Sequence, residues 1–123
     1  MEKIYTKNAP EAVGPYSQAT VSGGLIFTSG QIPINPASGQ VDATDISEQA
    51  EQVCKNIKAV LESAGSSLDK VIKTTCYIKN MNDFATFNEV YAKYFTNRPA
   101  RSCVEVSALP KGVLCEVEAI AEV

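Results

Sequence analysis

The chain contains no histidine and no tryptophan. Without histidine there is no Ser-His-Asp or Cys-His nucleophilic site and no metal site that needs an imidazole. It also leaves no side chain whose unperturbed titration falls near neutrality. Cysteine is sparse and scattered: Cys54, Cys76, Cys103 and Cys115 include no C-x-x-C pair. A four-cysteine zinc site survives on count alone, but its spacing is poor; separated thiols of this kind fit reduced core residues in a cytosolic setting. Positive charge is also short, with 11 Lys and Arg against 14 Asp and Glu and a net charge of -3, so a broad nucleic-acid footprint is not expected. No apolar run approaches the roughly 18 residues of a membrane span. The start, Met1-Glu2-Lys3-Ile4-Tyr5-Thr6, lacks the apolar stretch of a signal peptide. A cytoplasmic chain with no membrane partner is expected, with chemistry confined to carboxylates, hydroxyls, backbone groups and water, and with no metal or other cofactor.

What remains is an ordinary globular composition: 123 residues, 45% hydrophobic and 20% charged, enough for one domain over residues 1–123 and its core. Short strands are predicted at 3–6, 17–21 and 25–29, the last two joined as a hairpin through Gly23-Gly24. Ile46, Ala50, Val53, Cys54, Ile57, Val60, Leu61 and Ala64 make an apolar helical stripe. Asp45 and Glu48 supply a capping-box-like start and Gly65 a stop. A β-branched strand follows at 71–79, then a helix over 83–95 with Asn82 as its cap. The aromatic stripe Phe84, Phe87, Tyr91, Tyr94 and Phe95 reads as core. Strands at 101–107 and 113–121 close the chain. This order argues α+β, a mixed sheet with two helices on one face.

The last two strands hold the residues with chemical interest. In Pro99-Ala100-Arg101-Ser102-Cys103-Val104-Glu105-Val106, alternation puts Val104 and Val106 on one side and Arg101, Cys103 and Glu105 on the other. In the final strand Glu116 and Glu118 oppose an apolar side of Val113, Cys115, Val117, Ala119 and Ala121. The face away from the helices is therefore expected to carry Arg101, Cys103, Glu105, Glu116 and Glu118 together, beneath a cleft or another subunit. Arg101 offers a permanently charged planar fork that fits a small carboxylate, or it pairs with an acid on a neighbouring strand. Glu118 serves as an acid/base or as half of an ion pair; for Glu116 the ion pair is favoured. Cys103 has no histidine to activate it, so a packing thiol is favoured over a nucleophile. Ser29 before Gly30 at a strand end either meets a ligand or makes a turn. Tyr16 is a pocket wall or a plain loop aromatic. Asn88 is a poor mid-helix choice, so its amide is either used or exposed.

Gly14-Pro15-Tyr16-Ser17-Gln18, Phe27-Thr28-Ser29-Gly30-Gln31-Ile32-Pro33, Asn82-Asp83-Phe84, the arginine segment and the ending Glu116-Val117-Glu118-Ala119-Ile120-Ala121 occur in that order. Together they resemble the RidA (YjgF) family over essentially the whole chain. The resemblance implies a chorismate-mutase-like α+β fold and a homotrimer with clefts between subunits. It also implies hydrolysis of reactive 2-imino acids, released by pyridoxal-phosphate dehydratases, to 2-oxo acids and ammonia. By motif, Arg101 matches the family's carboxylate-binding arginine and Glu118 its water-activating glutamate. Tyr16, Ser29, Asn88 and Cys103 match pocket positions, and Gly30 a backbone position beside the ligand. The segment Thr96-Asn97-Arg98 is a few residues shorter than in some members. A regulatory trimer that binds a 2-oxo acid or amino acid without turnover is the alternative. Specific RNA cleavage is disfavoured, because neither phosphate attraction nor a histidine proton shuttle is supplied.

Overall fold

Alternation along the last strand organises the molecule. In the computed structural model, which describes residues 1–123, Cys115, Val117, Ala119 and Ala121 are buried while Glu116, Glu118 and Ile120 are half-buried on the other side. This strand, β6 (Cys115–Glu122), lies between β3 (Leu25–Thr28) and β4 (Val71–Ile78). With β1 (Glu2–Ile4), β2 (Ala19–Ser22) and β5 (Ala100–Glu105) it forms a six-stranded sheet of order β1-β2-β3-β6-β4-β5. Only β4 and β5 pair in parallel, as their connection through the second helix allows.

The fold is the expected mixed α+β one. Ser22 and Leu25 pair across Gly23-Gly24, whose φ values of 61° and 79° need glycine's freedom in a tight hairpin turn. Helix α1 (Ile46–Ser63) starts where Asp45 accepts a hydrogen bond from the Glu48 N–H at 2.8 Å. It ends in a Schellman pair, with the Ser66 N–H donating to the Leu61 carbonyl and Gly65, at φ 80°, donating to that of Glu62. Val53, Ile57, Val60 and Leu61 of this helix are wholly buried; each such side chain contributes roughly 1.5–3 kcal/mol. Helix α2 (Phe84–Tyr94) buries Phe87, Val90 and Tyr91 in the same core, with Tyr91 stacked on Phe95 at 4.4 Å.

Two expectations are corrected. Asn82 does not cap α2: a single 3-10 turn, Met81–Asp83, precedes the helix, and Asn80 accepts from the Asn82 N–H at 2.9 Å, a local Asx bond that starts the turn two residues earlier. More consequential is the face of β5. Thr74 of β4 stands beside Arg101 on one side and Ala119 on the other, and Cys76 beside Cys103 and Val117. Residues side by side in a sheet share a face. Arg101, Cys103 and Glu105 therefore point toward the helices, with the buried Thr74, Cys76 and Ile78. Ser102 and Val104 share the opposite face with Glu116 and Glu118.

Candidate functional site

The sheet is interrupted beside Glu118. Phe27 pairs with Ile120, and pairing resumes at Gln31, whose N–H donates to the Val117 carbonyl at 2.8 Å and whose carbonyl accepts the Val117 N–H at 3.1 Å. Thr28, Ser29 and Gly30 thus face only Glu118 and Ala119. The extra residue bulges out of the ladder, and Thr28 fastens it by accepting from the Ala119 N–H at 3.0 Å. Ser29 donates its hydroxyl to the Ser17 carbonyl at 2.6 Å, so its lone pairs remain for another donor. The Gly30 N–H makes no hydrogen bond within the chain. Gly30 is glycine for a local reason: a Cβ there would lie 2.0 Å from Glu116 Oε2.

A cleft of about 570 Å³ opens over this bulge, lined among others by Tyr16, Ser29, Gly30, Lys111, Glu116 and Glu118. Tyr16 stands half-exposed at its wall. Glu118 Oε1 accepts the Tyr77 hydroxyl at 2.9 Å, and this bond holds the Tyr77 proton on above the usual phenol range. Burial, then the neighbouring Glu118 charge, raises the Glu116 carboxyl above the ordinary carboxylate value. Glu116 finds no cation within its own chain, and its carboxylate packs on the Gly30 backbone.

Arg101 occupies a second cleft, of about 630 Å³, with Asn88, Tyr91, Arg98 and Pro99 on its walls. Its guanidinium donates from Nη1 to Asn88 Oδ1 at 2.7 Å and lies over the Tyr91 ring at 4.8 Å and the Phe84 ring at 5.6 Å. Phe84, Asn88 and Tyr91 fall on one stripe of α2, so the helix forms a cradle that orients the fork without neutralising it. An amide and two aromatic faces hold the cation in place of the neighbouring acid that alternation also allowed. The Asn88 amide is therefore used. Cys103 follows two residues on along the same face of β5, half-buried. Its thiol is drawn down to about 7, first by the adjoining Cys76 thiol and then by the Arg101 charge, against the opposing effect of burial.

The predicted residues thus separate into two groups. Tyr16, Ser29, Gly30 and Glu118 meet in one cleft; Arg101 and Asn88 meet in the other, with Cys103 close by on β5. The groups lie on opposite faces of the sheet. Three further residues escaped the sequence reading. Tyr77 was legible only once β4 is set against β6. Lys111 and Arg98 hold φ values of 56° and 55°, a left-handed backbone uncommon outside glycine, and each lines one of the clefts; the Pro-Lys-Gly run was the only hint.

The six-stranded sheet with two helices on one face is the α+β fold that the chain shares with solved L-PSP and YjgF structures. The chain belongs to the family described as Endoribonuclease L-PSP, the RidA family of the motifs above, whose model matches residues 6–123. It is 59% identical over 121 residues to a RutC family protein of Pyrococcus horikoshii, covering 98% of this chain and 96% of that one. It is 52% identical over 122 residues to the 2-iminobutanoate/2-iminopropanoate deaminase of Escherichia coli, covering 96% and 94%. Among solved structures, Escherichia coli TdcF with bound serine superposes with a TM-score of 0.96 at 45% identity, covering 100% of this chain and 99% of that one.

Proposed function

We propose that the chain is an imine deaminase that hydrolyses 2-iminopropanoate and 2-iminobutanoate to 2-oxo acids and ammonia, in clefts completed by a second copy of itself within a homotrimer. The observation that carries this reading is the division of charge across the sheet. One face presents a cradled cation with donors to spare, and the other a carboxylate beside an open N–H and a hydroxyl acceptor. Neither half is a site for a small zwitterionic electrophile, whereas the Arg101 face of one copy set against the Glu118 cleft of another is. The deaminase named among its relatives supports the same chemistry, and the serine in TdcF supports a ligand of this size and charge.

Arg101 binds the substrate carboxylate through the fork edge that Asn88 leaves free, with the Gly30 N–H and backbone near Cys103 as further donors. Glu118, held by Tyr77, accepts a proton from water as the water oxygen adds to the iminium carbon. The carbon–nitrogen double bond becomes single and a carbinolamine forms. A proton then moves to nitrogen, the carbon–nitrogen bond breaks, and ammonia leaves as the carbonyl forms. Holding water against a bound electrophile supplies most of the rate.

The test generates the imine in situ with a threonine or serine dehydratase and follows 2-oxo acid release against competing semicarbazide. Release is expected to accelerate with the wild-type chain and to return to the background rate with Arg101→Ala. No acceleration, with 2-oxobutanoate still bound, would replace the enzyme with a ligand-sensing protein. Normal turnover by Arg101→Ala would remove Arg101 from the anchor role.

A further inference from the structure

Cys76 and Cys103 stand directly opposite each other on the parallel pair β4 and β5. Both are free thiols, Cys76 wholly buried and Cys103 partly open to solvent. Neighbours in register send their side chains to one face from backbones roughly 4.8 Å apart, within the roughly 4.4–6.8 Å Cα separation that a disulfide spans. β5 is the edge strand, hydrogen-bonded only to β4, so a small inward movement of Cys103 disturbs no second ladder.

The two thiols differ in the sense that a redox pair requires. Cys103 is the one that ionises near neutrality, at about 7, while the same contact and burial drive Cys76 upward. The other cysteines offer no competing pair: Cys54 and Cys115 are buried, and burial pushes both thiols up, Cys115 to about 12. An exposed low-pKa thiol reacts with peroxide, and a neighbouring thiol resolves the product before it oxidises further.

We propose that Cys103 and Cys76 form a reversible peroxide-responsive disulfide across β4 and β5, with Cys103 as the attacking thiol and Cys76 as the resolving one. The Cys103 thiolate attacks one oxygen of hydrogen peroxide. An S–O bond forms, the O–O bond breaks, and hydroxide leaves and takes up a proton as water. The Cys76 sulfur then attacks the Cys103 sulfenic sulfur; the S–S bond forms, and the sulfenic oxygen departs as water with the Cys76 proton. The two sulfurs lose two electrons to the peroxide, and a dithiol such as dithiothreitol returns them. Because Arg101 is two residues from Cys103, the oxidised strand carries a displaced anchor, and 2-oxo acid binding is expected to fall until reduction.

Intact-mass and peptide analysis of the whole protein after brief exposure to a several-fold excess of hydrogen peroxide tests this. The expected product has lost two hydrogens, links the peptides containing Cys76 and Cys103, and reverts with dithiothreitol. In Cys76→Ser, whose hydroxyl still donates to the Cys103 thiolate but cannot resolve its sulfenic acid, Cys103 is expected to gain oxygens to the sulfinic acid, which dithiothreitol does not remove. Wild-type protein that accumulates Cys103 sulfinic acid with no 76–103 link would overturn the proposal. So would a Cys76→Ser variant whose products match the wild type's. The mass readout needs no turnover, so it stands or falls apart from the deaminase reading.

Discussion

Gly30 has a hydrogen where any other residue would place a Cβ 2.0 Å from Glu116 Oε2. Gly30→Ala is expected to fold, because Glu116 can rotate into the cleft, yet to lose ligand affinity as the carboxylate crowds the floor, at a stability cost on the order of 1–3 kcal/mol; calorimetric titration with 2-oxobutanoate and a melt check both. Glu116 itself carries a raised carboxyl pKa, so the folded chain holds that proton more tightly than the unfolded one. Charging it costs stability as pH rises through the folded value. Glu116→Gln is therefore expected to melt higher than wild type near neutrality, with the gap closing in acid; a gap that widens in acid would reverse the assignment. For Glu118→Gln, binding of the 2-oxo acid should persist while turnover drops about 100-fold or more. These glutamates were readable from alternation, because β6 is central and its two faces differ. The face of Arg101 was not. Alternation says which residues of one strand share a side, but it does not say which side that is relative to another strand. On β5 the apolar Val104 is 44% exposed, while the arginine faces the core side, stabilised by the rings beneath it.

α2 is the element that orients Arg101 for the proposed anchor role, from Phe84, Asn88 and Tyr91. Asn88→Ala should leave the helix intact and raise KM for the imine more than it lowers kcat, since the fork loses its orientation. Asn88→Asp should be worse, because a carboxylate at 2.7 Å would compete with the substrate for the same guanidinium; equal effects of the two variants would show that orientation is not set by Asn88. α1 was legible to within a residue because its signals are local: a side-chain cap, an apolar stripe and a glycine stop. The start of α2 was less so, since Asn80, Asn82 and Asp83 all offer capping groups and only the three-dimensional turn selects among them. The bulge at Thr28–Gly30 was invisible for a related reason: an extra residue in a ladder appears only against its partner strand. Deleting Ser29 would let the ladder run unbroken from Phe27 to Gln31, and the expected product is a folded chain that no longer binds ligand in this cleft.

At the scale of the whole molecule, the proposed site joins the anchor of one copy to the acid of another. Arg101→Ala and Glu118→Gln chains, each inactive alone, are therefore expected to recover activity when unfolded and refolded together. Random mixing joins an intact arginine to an intact glutamate at about one contact in four, so about a quarter of wild-type activity should return. No recovery in demonstrably mixed assemblies would place both groups in one chain's site. The two-faced arrangement also makes stoichiometry a measure of shape. Two copies can mate one arginine face with one glutamate face once, leaving an orphan half at either end; only a ring that closes on itself completes as many sites as it has chains. Counting bound 2-oxo acid per chain would thus report closure directly: one per chain for a ring, and fewer for any open assembly.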